Sequence, residues 1–363
     1  HQVQDAWSLG ILLQELSQIY TDEMNGQSSS LPSPTSYRKY IEWLQLQDFS
    51  AAELFWKKEL ANVEEVSFAA EGLMEGTSEL FRQEIQEKKL NESQTDRLKK
   101  FSKEKHLTLN TLTVAAWAIA FAQMLGRQDV LFGLTVSGRS SDISGVERIV
   151  GLFINTVPLH IRIPSHGSVH SWLSSLQFRI LQMQQYSYTP LGMIQTWHKE
   201  RNSQSLFDSI FVFENTPLPE GTGKSALVAS DFDFLEKTHY PLTFTVVPGS
   251  SLTFQLQYGA QQFLEMFCEN LLKRTRNILE KLMVVPSMSD LFRSVEPDQK
   301  QMSVWESGKQ IQFEKKILTA ALIAENAQLI PDSVALSDSR KHLTFSELDV
   351  EVIRLADQLI KAG

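Results

Sequence analysis

Residues 110–136, NTLTVAAWAIAFAQMLGRQDVLFGLTV, hold the change of hydrophobic period that decides the fold class. From Asn110 to Leu125 the chain is apolar on nearly every side, without Gly or Pro. That predicts a buried helix, and Gly126 supplies the residue at which such helices stop. From Asp129 to Val136 the pattern becomes that of a buried strand, and Asn155 to Ile163 predicts another, followed by a helix containing Trp172. Toward the N-terminus, Leu80 to Gln86 alternates as a strand does, and a short helix carries Phe55-Trp56. Tyr37, Tyr40, Ile41 and Leu44 share a helical face. Gln27 to Ser36, rich in Ser and Pro, is a loop. Before it, Leu9, Leu12, Leu13, Leu16, Ile19 and Tyr20 predict a helix after Asp5 that ends near Asn25-Gly26. Toward the C-terminus, Phe207 to Glu214 is a strand. Leu242 to Val247 and Leu252 to Leu256 form a hairpin around Pro248-Gly249-Ser250-Ser251, and a helix covers about Gln261 to Leu282. Helices and strands are mixed without the regular alternation of a doubly wound sheet, which predicts an α+β sandwich.

The 363 residues suffice for about two domains. Between Pro286 and about Phe313 the apolar period is lost, as in a linker. Leu318, Leu322 and Ile323 then open a new face, Ser333 to Ser337 reads as a strand, and Leu343 to Leu348 enters a helix. Hydrophobic residues at 42% and charged residues at 21% exclude a disordered or collagen-like chain. Lys and Arg number 34 against 43 Asp and Glu, a net of -9, and no basic stripe is interleaved with aromatics, so nucleic acid is not an expected partner. Cys268 is the only cysteine, which rules out an internal disulfide and fits a reducing compartment. No apolar stretch reaches about 18 residues, so no membrane segment is expected and the chain reads as cytoplasmic. It starts on His1 rather than Met and stops at Gly363 just after an amphipathic pattern, which predicts a fragment of a longer polypeptide.

The most pointed chemistry lies in His1-Gln2-Val3-Gln4-Asp5-Ala6-Trp7-Ser8, a histidine just before a helix that Asp5 is placed to cap. An imidazole suits proton transfer near neutral pH, and a nearby carboxylate can orient such a site. An ordinary loop histidine followed by a capping aspartate gives the same pattern. These residues resemble the signature of nonribosomal peptide synthetase condensation domains: two histidines, three variable residues, Asp-Gly, and often Trp-Ser. His1 matches the second histidine, and the first would lie immediately upstream. Tyr37-Arg38-Lys39-Tyr40-Ile41-Glu42-Trp43, Val136-Ser137-Gly138-Arg139, Ile149 to Pro158 (IVGLFINTVP), Tyr186 to Leu191 (YSYTPL) and Leu206 to Asn215 (LFDSIFVFEN) resemble further family segments, in family order. The resemblance runs from His1 to about Val285. Leu343-Thr344-Phe345-Ser346-Glu347-Leu348 is similar to a motif near the start of adenylation domains. The implied division is a condensation domain over 1–285, truncated at its N-terminus, a linker over 286–315, and the beginning of an adenylation domain over 316–363.

The resemblance implies a chloramphenicol-acetyltransferase-like two-lobed α+β sandwich, with the front of the first lobe missing and the active site in a tunnel between the lobes. It implies amide formation between a donor acyl or peptidyl thioester and the amine of an acceptor aminoacyl thioester. Both would arrive on phosphopantetheine arms of upstream and downstream carrier domains, with no cofactor bound by the protein itself. His1 would be the catalytic residue, as base or as hydrogen-bond donor. Asp5 and Arg139 would support the site as a buried pair joined by two parallel hydrogen bonds, and Ala6, Trp7, Ser8, Asn155 and Asn215 are candidates for its lining. Ala6 stands where the family has Gly, and its methyl is tolerable there if the backbone angle is negative. The intact parent would be an acyltransferase, the isolated fragment inactive. A catalytically inactive docking or scaffold segment, or an epimerisation or ester-forming member of the superfamily, are the alternatives.

Other features have plainer readings. Gly221-Thr222-Gly223-Lys224-Ser225 ends like a phosphate-binding loop, but Leu218 stands where the earlier glycine is required. Cys268, on a helix with Phe263, Phe267 and Leu271, reads as a small core residue. His160, His166 and His170 lack a carboxylate or cysteine at metal-ligand spacing and read as surface residues, so no metal is expected. The tryptophans fall mostly on apolar faces and read as core. Asn155 is either a functional amide or a side chain satisfying backbone groups.

Overall fold

A computed structural model describes residues 3–63, 82–198, 205–214, 238–295, 319–337 and 342–362. The chain divides into two compact units, His1–Glu296 and Pro297–Gly363.

The larger unit is built on a mixed six-stranded sheet. Its strands are β1 (Gln83–Lys89), β2 (Asp129–Val136), β3 (Asn155–Arg162), β4 (Ser209–Phe213), β5 (Leu242–Val247) and β6 (Thr253–Gly259), in the order β1-β6-β5-β4-β2-β3. β4 is parallel to both its neighbours, and the other pairings are antiparallel. Strand alternation sends Phe132, Phe211, Phe244 and Phe254 to one face, where their rings form a continuous row and Trp117 stacks on Phe244 at 4.4 Å. Trp117 belongs to α5 (Leu109–Leu125), the helix predicted over 110–125. It is buried from Thr111 to Ala122 and capped by Thr108 and by Gly126 at φ +64°. α4 (Glu92–Glu104), α6 (Val169–Gln184) and α8 (Glu265–Leu282) pack around it. α1 (Ala6–Met24), α2 (Arg38–Gln45) and α3 (Phe49–Glu59) precede the sheet, and α7 (Leu191–His198) packs on α3 and β3. Most of the apolar face expected on α1 is open: Leu12, Leu16, Ile19 and Tyr20 are exposed.

The stretch read as a linker from Pro286 instead begins inside the fold. Met288–Ser294 forms α9, whose Met288, Leu291 and the following Val295 are buried, and which packs on α8. Pro286 accepts from the Val169 N–H at 3.0 Å and Met288 donates to Gly167 at 2.9 Å, so this segment is also laced to the start of α6. The remainder of that linker, 296–315, lies outside the described residues. Leu291→Ala should therefore lower the stability of the unit by about 2 kcal/mol, the low end for a buried leucine because a terminal helix can settle into the space. Chemical denaturation measures it, and an unchanged midpoint would show that α9 contributes no packing.

Histidine 160 corrects a second expectation. It is 7% exposed rather than on the surface, and its Nε2 lies 3.1 Å from Asp129 Oδ2 on the neighbouring strand. The antiparallel register that sets Leu131 opposite His160 brings the start of β2 within reach, a juxtaposition that spacing along the sequence does not show.

The smaller unit holds α10 (Thr319–Leu329), a two-stranded sheet of β7 (Val334–Ser337) and β8 (His342–Thr344), and α11 (Phe345–Ala362). Its LTFSEL motif is a capping box. The Thr344 N–H donates to Glu347 Oε2 at 2.9 Å and the Glu347 N–H to Thr344 Oγ1 at 3.3 Å, which fixes the passage from strand to helix.

Candidate active site

Asp5 begins the site because it is an N-cap: its Oδ1 accepts from the Ser8 N–H at 2.8 Å, satisfying a donor that the first turn of α1 leaves open. The same carboxylate is 3% exposed and paired with Arg139. Capping and pairing, weighed as alternatives on sequence, coexist on the two oxygens. Arg139 Nη2 donates to Asp5 Oδ1 at 2.9 Å and Oδ2 at 3.2 Å, while Nη1 donates to the carbonyls of Val146 at 2.7 Å and Ile149 at 2.9 Å. The expected parallel pair of bonds is thus replaced by one nitrogen facing both oxygens, and Arg139 Nε is buried without a partner among the described residues. The guanidinium lies 4.1 Å from the Phe153 ring centre and 5.5 Å from that of Trp7. Burial foremost holds its pKa below the ordinary arginine value, with the Asp5 charge opposing, and a guanidinium remains a cation in proteins.

Ser8, a lining candidate on sequence, is instead fully buried. Its hydroxyl lies 2.7 Å from Asp5 Oδ1 and 2.8 Å from the Gly151 carbonyl, and accepts from the Gly151 N–H at 3.0 Å and Arg139 Nη2 at 3.1 Å. The Phe153 N–H donates to Asp5 Oδ2 at 3.2 Å. Together these bonds staple the first turn of α1 to the 139–153 loop. Behind the loop, Ile143, Val146, Ile149 and Phe153 form a second small core, closed by Tyr37, Tyr40 and Trp43 of the aromatic motif around α2. Two glycines make this packing possible. Gly138 sits at φ +62° where a Cβ would strike the Phe153 carbonyl, and at Gly151 a Cβ would strike the Tyr37 ring.

Asn155 likewise leaves the lining. Its Nδ2 donates to the carbonyls of Ser187 at 2.8 Å and Thr189 at 2.7 Å, and its Oδ1 accepts from the Thr156 N–H, so it ties β3 to the YSYTPL segment. Its chemistry is the satisfaction of backbone groups. Ala6 and Trp7 do line a chamber of about 960 Å³, with Asp5 and Arg139 on the same wall. Ala6 is in α1 and is not among the residues with positive φ, so its methyl costs no backbone strain. A second cavity of about 1020 Å³ shares Thr135 to Ser137, Arg139, Ser141 and Phe213 with the first, so the two meet at the end of β2. His1 and Asn215 lie outside the described residues.

Beyond the residues marked by the sequence, Ile210 and Val212 on β4, Thr156 on β3, and Glu147 and His239 also line the chamber. Alternation along FDSIFVF carries the signal for Ile210 and Val212, because Phe211 between them faces α5. His239 stands just before β5 with no motif around it. Cys268 is fully buried, and burial foremost, with Glu84 adding to it, pushes its thiol up to about 12. It should stay unlabelled by iodoacetamide at pH 8 in the folded chain and react once denatured. Labelling in the fold at a free-thiol rate would refute this placement.

The model of the condensation-domain family matches residues 1–301, and the chain belongs to that family. One polypeptide of the linear gramicidin synthase of Brevibacillus parabrevis is 33% identical over 369 residues, covering 100% of this chain and 5% of its own length. Surfactin synthase subunit 3 of Bacillus subtilis (strain 168) is 29% identical, over 100% of this chain and 28% of its own. Among solved structures, a starter condensation domain of rhizomide synthetase superposes with a TM-score of 0.66 at 17% identity, covering 78% of this chain and 64% of that one. A four-domain nonribosomal peptide synthetase superposes with a TM-score of 0.63 at 17% identity, over 99% of this chain and 29% of that chain. The fold is the chloramphenicol-acetyltransferase-like α+β architecture of condensation domains. Among the described residues no single helix is long and apolar enough to cross a membrane.

Proposed function

We propose that this condensation domain joins a donor acyl or peptidyl thioester to the amine of an acceptor aminoacyl thioester within a larger cytoplasmic synthetase. Both substrates ride on the phosphopantetheine arms of upstream and downstream carrier domains, and the domain itself binds no cofactor. The observation that carries the reading is the stapled first turn of α1, with Asp5, Ala6, Trp7 and Arg139 on the wall of the chamber. His1 stands four residues before Asp5 in the sequence and matches the second histidine of the family signature, which supports the reading.

In the proposed step the acceptor nitrogen attacks the donor carbonyl carbon, and the carbon–nitrogen bond forms as the carbonyl oxygen takes up the electron pair. The tetrahedral oxyanion collapses, the carbon–sulfur bond breaks, and the proton released by nitrogen ends on the departing thiolate. His1 serves the step by accepting that proton or by donating a hydrogen bond to the oxyanion. Holding both thioesters in line supplies much of the acceleration. No acyl-enzyme is required, in keeping with the buried, protonated Cys268.

On this reading residues 316–363 begin an adenylation domain, supported by the 99% of the chain that the four-domain synthetase matches. On the same reading the chain alone is inactive. The test is product identity. With both flanking carriers loaded in the intact synthetase, fragmentation mass spectrometry of the downstream carrier should find an amide of unchanged configuration. An ester, an epimerised but untransferred donor, or no product would overturn the assignment.

A further inference from the structure

Gly133 is a buried glycine with no backbone reason to be one. It lies inside β2, opposite Pro158 of β3 on one side and Ile210 of β4 on the other, and it is not among the glycines with positive φ. Glycine weakens a strand interior and packs nothing there, so its presence marks a close approach of other atoms. Two side chains make that approach. A Cβ at 133 would collide with Phe207 Cε2, and would lie 2.8 Å from Phe207 Cζ and 2.7 Å from Thr156 Cγ2. Both neighbours lead to the chamber. Thr156 lines it directly. Phe207, just before β4, is fully buried, and its ring stacks on that of Tyr240 with centres 5.6 Å apart and planes 26° from parallel. Tyr240 lines the chamber as well, and so does Ile210.

We infer that Gly133 sets the bulk of side chain that the chamber accepts. By leaving room for Phe207 and Thr156 to sit back against β2, it keeps Thr156 and Tyr240 out of the space that a guest fills. The inference rests on the proposed handling of thioester-bound acyl groups. It adds a positioning residue that touches no substrate and acts through Phe207, Thr156 and Tyr240. The device is steric and asks nothing of the charges around the chamber. A methyl at 133 has to push the Phe207 ring or the Thr156 methyl away from the strand. Phe207 has no solvent to move into, and a close-packed interior transmits such a displacement to the ring stacked on it. Thr156 faces the chamber without an intermediary. One methylene of pocket space separates guests by about ten- to two-hundredfold, so a wall moved by a methyl's width penalises a large side chain and spares a small one.

The probes are the N-acetylcysteamine thioesters of alanine and phenylalanine, titrated calorimetrically into the 363-residue chain. Gly133→Ala, with an unchanged circular dichroism spectrum, should weaken phenylalanyl binding at least about tenfold more than alanyl binding. Adding Phe207→Leu removes Cε2 and Cζ, two of the three atoms that the new methyl meets, and should bring the phenylalanyl-to-alanyl ratio back to within about threefold of the unaltered chain's. Should Gly133→Ala fail to fold, Phe207→Leu alone probes the same wall without overpacking. It gives Tyr240 room to retreat and should raise the ratio at least about threefold. A loss equal for both thioesters in a folded Gly133→Ala chain would leave Gly133 a packing residue and overturn the inference. So would a ratio moved by less than about threefold in Phe207→Leu, or no binding of either thioester to the unaltered chain at millimolar concentration. Because the readout is binding, a size dependence in a synthetase that forms no amide would sink the proposed reaction alone. Amide formation with an unmoved ratio would sink the role of Gly133 alone.

Discussion

Replacing His1 with Ala in the intact synthetase should lower transfer of the donor chain between loaded carriers by at least about 100-fold, the usual contribution of a positioned acid–base group. The expectation follows from the match of His1 to the second histidine of the family signature, just ahead of a firmly held helix start. The chain after it is held at Asp5 and Ser8 by seven hydrogen bonds to Arg139, Gly151 and Phe153, counting the 3.3 Å bond from the Asp5 N–H to the Gly151 carbonyl. His1 also precedes α1, so its removal should leave the denaturation midpoint unchanged and separate a catalytic defect from a folding one. Transfer within about threefold of wild type would remove His1 from the mechanism.

Breaking the Asp5–Arg139 pair should be the costliest change to stability, on the order of 3 to 5 kcal/mol for either Asp5→Ala or Arg139→Ala. The side chains are 2% and 6% exposed, and each single truncation strands a buried charge. Without Arg139, the Asp5 carboxylate keeps the N–H groups of Ser8 and Phe153, and without Asp5 the guanidinium keeps two carbonyls. Those residual partners place the effect toward the lower end of the range. Loss of the cap alone would cost only about 1 kcal/mol. The double variant should fall well short of the sum, since removing both charges leaves neither stranded. Effects additive to within about 0.5 kcal/mol would mean that the two charges do not act as a pair.

The elements with strong period are legible in the sequence. The helix over 110–125, the strands on either side of the 137–154 loop and the hairpin at Pro248 depend on local pattern, and the structure places them where that pattern ends. Shorter or more tertiary features were not legible. Met288, Leu291, Phe292 and Val295 do repeat at helical spacing, but a seven-residue helix spans barely two turns, and the Pro, Ser and Asp around it resemble a linker. Ser8, and the choice between the two readings of Asn155, escape the sequence for a related reason. A small polar residue beside a functional motif faces the cavity or the backbone according to contacts more than a hundred residues away for Ser8 and about thirty for Asn155. His160 was misread because a strand register, invisible along the chain, supplies its carboxylate partner. The Asp5–Arg139 pairing came from a resemblance, and composition alone would have left Asp5 a cap.

In the proposed function an acyl group passes directly from one carrier arm to the amine on the other, in a chamber that never bears it covalently. A single-turnover time course of the intact synthetase, quenched in acid and digested to separate its domains, follows the acyl mass on each by mass spectrometry. This mass should leave the upstream carrier and appear on the downstream carrier at one rate, with the condensation domain unmodified throughout. An acylated condensation domain that forms and decays on the same timescale, or loss of the donor as free acid without gain on the downstream carrier, would contradict it.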